Sequence, residues 1–190
     1  MAVMVSGRML LRRWATVWPC AVIRSPENTT LEFEQVHAMT PAQLSAQLHS
    51  AVDDGLRFFA GVDETRTTKR PRPEAWCARE ILGHLIDSAC NNHRRFVLGQ
   101  SSDIRKFDGY QQDDWVGRQH YDRVPWRDLV ALWTSYNRHL AHVMSCAPAE
   151  TLAHAAESPG GKPVTLGFIM EDYVTHMRHH LDQLRSMLAA

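Results

Sequence analysis

Leu166-Gly-Phe-Ile-Met-Glu-Asp-Tyr173-Val-Thr-His176-Met-Arg-His179-His180-Leu181-Asp-Gln-Leu184-Arg-Ser-Met-Leu188 has the period of one long helix. Leu166, Ile169, Tyr173, Met177, Leu181, Leu184 and Leu188 recur every three or four residues as an apolar stripe, while Glu171, Arg178, Asp182 and Arg185 mark the wet face. His176 and His180 flank that stripe. Four residues apart, they stack on one side of the helix, where two imidazoles can grip one metal ion. With 11 histidines in the chain, such a pair also arises by chance, as a satisfied core histidine or a solvated one. The position beside the stripe favours the metal: an imidazole leaning into a core needs partners for both ring nitrogens, and a cation plus an outer acceptor supplies them.

Working outward, three more segments share this period. Thr40-Pro41 is a helix start, with a capping side chain and then proline in the first turn. Leu44, Leu48, Ala51, Val52, Leu56 and Phe59 carry that helix to about Ala60, and Gly61 to Glu74 is a polar loop. Cys77 and Glu80 have the spacing of a capping box, with cysteine where serine or threonine is usual. The helix they open should run to about Leu98 and bury Leu82, Leu85, Ile86, Ala89 and Val97. Pro125 opens another, through Cys146, with Leu129, Leu132, Trp133, Tyr136, Leu140 and Val143 inward, and Pro148 stops it. Ser158 to Pro163 is a turn, and Thr165 caps the final helix.

Between Gly99 and Val124 lies a connection too long to be a mere link. Its Tyr110, Trp115 and Tyr121 imply a segment packed over the mouth of the helices. Nothing reads as an extended strand and no repeat is present. The fold expected is all-α, a four-helix bundle, an architecture that builds metal sites from inward side chains on facing helices. The second helix carries His84, a third imidazole. Three protein nitrogens on a divalent metal leave one position for water or substrate, unlike a closed four-ligand structural site.

Composition narrows the function. Lys+Arg and Asp+Glu number 21 each, so no basic excess argues for a nucleic-acid partner. No apolar run approaches the roughly 20 residues of a membrane span. The four cysteines, Cys20, Cys77, Cys90 and Cys146, show no metal or redox spacing and are expected to be reduced and mostly buried, in a cytoplasmic protein. Residues 29–190 suffice for one domain with its own core. Residues 1–28 hold Arg8, Arg12, Arg13 and Arg24 with Trp14 and Trp18, and read as a leader or a loosely attached arm. A homodimer contact is one role open to the two tryptophans.

Three strings then fall into register: Trp76-x-x-x-Glu80-Ile-Leu-x-His84-Leu-x-Asp87-Ser88, Asp108-Gly-Tyr-x-Gln-Asp113-x-Trp115-Val116, and His176-x-x-His179-His180-Leu-x-Gln183. In this order and separation they resemble the DinB-like superfamily, particularly its YfiT-type branch, over residues 35 to 188. The resemblance implies a bundle of up-down-down-up topology with a metal held by His84, His176 and His180. It also implies chemistry of two kinds, thiol-dependent transfer using a low-molecular-weight thiol such as bacillithiol or mycothiol, and metal-dependent hydrolysis.

His84, Ser88, Asn91 and Arg95 form a polar row along the second helix, by default a solvated face. If His84 binds metal, Ser88 and Asn91 become candidates for substrate contact. Asp87 and Asp172, each near a ligand in sequence, are candidates to accept an imidazole N–H or to add a carboxylate ligand. Imidazole suits zinc, nickel, copper and iron alike, with zinc or nickel expected. At an open site a thiol can be held as thiolate and transferred to a small electrophile, or water can be activated for hydrolysis. Hydrolysis also needs a base, for which Asp113 and Asp114 are the evident candidates. Thiol transfer ranks first, hydrolysis second, and a non-catalytic metal-binding role in stress response third.

Overall fold

The computed structural model describes residues 39–101, 105–157, 161 and 163–189. The leader expected at 1–28 and the domain start at 29 lie outside these residues. Four long helices dominate: α1 (Pro41–Phe59), α2 (Ala78–Leu98), α4 (Trp126–Cys146) and α5 (Leu166–Ala189), with a short α3 (Gln112–Gln119) ahead of α4.

The local start signals are used as the sequence implies. Thr40 Oγ1 accepts from Gln43 N–H, and the Gln43 side chain returns to Thr40 N–H. At α2, Glu80 takes the Cys77 N–H at 2.8 Å and also receives Arg70 through two bonds of 2.6 and 2.7 Å. Burial alone would raise the Glu80 pKa, but those donors outweigh it and hold the carboxyl below its ordinary value. Arg79 joins the approaches to two helices by donating to Thr67 Oγ1, Glu64 Oε1 and the Val124 carbonyl.

Side-chain contacts fix the topology. Phe59 at the end of α1 meets Trp126 at the start of α4, so these helices are antiparallel. Arg79 and His93 of α2 meet Val124 and Tyr136 on and before α4 in the same order, a parallel pair. Phe96 meets Tyr173 edge-on, and His84 meets His180, so α2 and α5 are antiparallel. The result is an up-down-down-up bundle. Its core is built from Leu44, Leu48, Ile81, Leu85, Phe96, Trp133, Leu140, Tyr173 and Leu181, all at most 1–2% exposed. Buried Asn137 is paired on both ends of its amide, donating to the Trp133 carbonyl and accepting from the Tyr173 hydroxyl.

Four expectations need correction. A small sheet exists: β1 (Arg105–Lys106) pairs parallel to β2 (Ala155–Glu157), which pairs antiparallel to β3 (Pro163–Thr165). Strands of two or three residues are too short to display an alternating pattern. The 99–124 connection also holds α3, with Asp113 and Asp114 in its first turn, where acidic side chains favour the helix dipole. Val97 and Leu132 are 48% and 51% exposed, and the core register passes through Phe96 and Trp133 instead. Cys77 is buried, but Cys90 and Cys146 are exposed.

Candidate metal centre

Antiparallel packing of α2 on α5 brings His84 against the His176–His180 face. His84 Nε2 stands 3.3 Å from His176 Nε2, and one ring nitrogen from each of the three imidazoles lies within 4.8 Å of the others. Among the described residues this is the one convergence of three or more metal-ligating groups. His84 is 1% exposed and the other two are half-buried.

Two neighbours orient the rings. Gln183 Oε1 lies 2.8 Å from His180 Nδ1, and the Tyr110 hydroxyl lies 3.4 Å from His84 Nδ1. With His180 Nδ1 donating to Gln183, the His180 Nε2 lone pair is left bare, and His84 Nε2 and His176 Nε2 face each other. Two ring nitrogens at this distance share either a proton or a cation, and a cation can draw on all three lone pairs at once. The donor set therefore fits a divalent metal of borderline softness.

Electrostatics agree. Burial, then the His180 ring, pushes His84 down to about 3. Burial, then the imidazoles of His180, His84 and His179, pushes His176 down to about 3 as well. His180 is also lowered, by burial against the opposing Gln183 hydrogen bond. All three rings are thus neutral and ligand-ready at ordinary pH.

The carboxylates lie apart from that convergence. Asp87 is 3% exposed, and its Oδ1 accepts from the Tyr121 hydroxyl at 2.7 Å and from Gln119 Nε2 at 2.6 Å. Burial raises its pKa against those two bonds. Gly83 allows this arrangement, since a Cβ there would stand 2.1 Å from the Tyr121 ring. Asp172 is half-buried and raised by burial, with Arg95 acting in opposition. Asp114 faces Arg118 at 3.8 Å on the surface of α3.

The polar row of α2 is not the solvated face expected by default. His84 and Ser88 are buried, and Asn91 and Arg95 are half-buried. Ser88 is tied to Asn92, whose Nδ2 donates to its carbonyl, and Asn91 Nδ2 donates to the Asp87 carbonyl. Around the imidazoles stand Trp76, 5.2 Å from the His84 ring, and Tyr110, which packs in turn on Trp115. The roles of Gln183 and Tyr110 were not singled out from sequence. Gln183 is legible afterwards as the i+3 neighbour of His180, whereas Tyr110 reaches His84 only through the fold.

The site can now be set beside known proteins. The family model described as the DinB superfamily matches residues 47–184. A Halalkalibacterium halodurans protein provisionally named a metal-dependent hydrolase is 24% identical over 171 residues, 90% of this chain and 95% of its own. A similarly named protein of Bacillus mycoides is 23% identical over 131 residues, 69% of this chain and 75% of its own. Among solved structures, YfiT from Bacillus subtilis, provisionally described as a metal-dependent hydrolase with an unusual four-helix-bundle topology, superposes with a TM-score of 0.65 at 15% identity. That likeness covers 86% of this chain and 91% of YfiT. A mycothiol-dependent maleylpyruvate isomerase gives a TM-score of 0.65 at 10% identity, covering 78% of this chain and 62% of the isomerase. At these identities the structural likenesses show the fold.

Proposed function

The chain belongs to the DinB superfamily, and from that membership and the convergent imidazoles we propose that it is a metal-dependent enzyme transferring a low-molecular-weight thiol to a small electrophile. The observation that carries this reading is the geometry of His84, His176 and His180, three neutral nitrogens with no carboxylate among them. These residues would hold zinc or nickel and leave a coordination position open.

When bound, such a cation supplies the positive charge that keeps a thiol ionised at neutral pH, and the same charge would acidify water. His84, His176 and His180 hold the centre. Gln183 and Tyr110 engage Nδ1 of His180 and of His84, which keeps those two Nε2 atoms aimed inward. Trp76, Tyr110 and Trp115 line the approach with apolar surface that limits water, suited to an electrophile with a hydrophobic body. The thiol's proton passes to solvent on ionisation. The sulfur forms the new S–C bond, and the bond to the leaving group breaks with that group departing as an anion, so no acid or base side chain is needed when the leaving group is a halide.

Hydrolysis is the second reading, favoured by the provisional names of the two curated relatives. It requires a base near the centre, and Asp113 and Asp114 lie in the first turn of α3, with Asp114 facing Arg118. The deciding experiment is a panel of thiols with a chromogenic electrophile, run with zinc-loaded, nickel-loaded and metal-free protein. Conjugation that requires both metal and thiol and disappears in His84→Ala is the expected result. Turnover of esters or amides without any thiol would transfer the assignment to a hydrolase. No acceleration of either kind would leave a metal-binding protein without catalysis.

A further inference from the structure

Arg95 is the cation of the polar row on α2, three turns beyond His84, and its surroundings point to a ligand. Side chains of a helix lean toward its N-terminus, which directs Arg95 back along α2 toward the imidazoles. Its Nη2 donates to the Asp108 carbonyl at 3.3 Å, placing the guanidinium against the segment that carries Tyr110. The Tyr110 hydroxyl in turn stands 3.4 Å from His84. The charge of Asp172, one turn before His176 on α5, also acts on Arg95. The guanidinium is thus held on α2 against the segment that borders the imidazoles.

Its hydrogen bonding is incomplete. The Asp108 carbonyl and Asn92 Oδ1, at 3.3 and 3.4 Å, are both distant neutral acceptors. Among the described residues no carboxylate stands within 4.0 Å of it. A half-buried guanidinium without a carboxylate is costly, and its planar fork matches a carboxylate in two parallel bonds. We propose that Arg95 reads a carboxylate on the small molecule whose reactive group is held at the imidazoles, so that the preferred cosubstrate is an anionic thiol. This rests on the thiol reading above and adds a substrate class to it. A bound carboxylate would replace the weak Asn92 and Asp108 acceptors on the fork with two charge-assisted bonds.

The test uses the full chain loaded with cobalt(II), in which thiolate binding gives a near-ultraviolet charge-transfer band. The probes are 6-mercaptohexanoate against 6-mercaptohexanol and 3-mercaptopropionate against 3-mercapto-1-propanol, pairs matched in length. The acid should bind about tenfold more tightly than the alcohol in at least one pair, as a charge-assisted contact allows. Arg95→Met should erase that preference without changing alcohol binding, and Arg95→Lys should keep part of it. Equal binding of acid and alcohol, or a preference that survives in Arg95→Met, overturns the Arg95 assignment while the thiol reading stands. If no thiol produces the band, the thiol reading fails and calorimetry with adipate against adipamide decides Arg95. Adipate binding lost in Arg95→Met then sustains the assignment, and its persistence or absence in the parent overturns it. If Arg95→Met does not fold, the same comparisons are made with Arg95→Lys, for which an unchanged preference for the acid over the alcohol overturns the proposal.

Discussion

Gln183 Oε1 stands 2.8 Å from His180 Nδ1, one turn along the same helix, and thereby decides which nitrogen of that imidazole is bare. A helix that contributes a ligand and the acceptor that orients it needs no other element to pre-form half of the centre. Gln183→Ala should lower metal affinity by about 10- to 100-fold while leaving helicity intact, and Gln183→Glu should recover most of it. Competition with a chromogenic chelator measures both, and an unchanged affinity in Gln183→Ala would remove the orienting role.

His179 provides the contrast within one run of sequence. It is exposed, one residue from His180 and on another face of α5. His176→Ala and His180→Ala should lose stoichiometric metal in elemental analysis with little change in circular dichroism, whereas His179→Ala should retain it. Full metal content in His180→Ala would sink the ligand set.

The metal-free protein should lose stability as pH falls. Burial holds His84 and His176 down to about 3 in the folded chain, whereas an unfolded imidazole takes its proton near 6.5. Between those values the unfolded chain binds more protons, so stability is complete above about 6.5 and declines continuously toward 3. Thermal melts of metal-free protein at a series of pH values should show this decline. It should be shallower in His84→Gln/His176→Gln, and identical slopes in the two proteins would contradict it.

Gly83→Ala should destabilise the protein by about 1–3 kcal/mol, because the added methyl would meet the Tyr121 ring at 2.1 Å and one of the two must move. Tyr121→Phe should cost about 1–3 kcal/mol by a different route, since it strips one donor from buried Asp87. Chemical denaturation gives both values. A neutral Gly83→Ala would mean that α2 can shift away from Tyr121, and metal affinity in that variant would report whether His84 shifts with it.

Glu80 closes the start of α2 from two directions. Glu80→Ala removes the acceptor of the Cys77 N–H and the partner of Arg70, and should lower stability by about 1–3 kcal/mol. Glu80→Gln should retain part of that through the Cys77 bond. Denaturation midpoints that do not separate the two variants would show that the Cys77 bond contributes nothing, and a Glu80→Gln midpoint equal to the parent's would show the same of the Arg70 ion pair.

Much of this architecture was legible because it rests on periodicity. The stripe from Leu166 to Leu188 and the Thr40 cap are local signals, and the helices they mark appear where the sequence puts them. The four-residue spacing beside that stripe also singles out His176 and His180, whereas His84 is a lone imidazole on another helix that the family resemblance brings to them. What stayed hidden depends on distant partners. Val97 and Leu132 look as apolar as their buried neighbours, and only the position of the facing helix leaves them at the surface. Tyr110 and Tyr121 meet α2 through a connection whose path no period encodes, and β1 finds β2 at a register, Arg105 opposite Ala156, that joins distant segments.

The connection that carries Tyr110 and Trp115 is fastened on both sides, by β1 against β2 before it and by Tyr121 and Gln119 on Asp87 after it. Between those clips, residues 107 to 118 are seated by buried Phe107 and Val116 and by Tyr110 against His84, and their other positions face outward. New specificities can thus be explored by exchanging the outward positions of one stretch while its anchors and the centre are inherited unchanged, a division that lets a single bundle serve many substrates over the course of evolution.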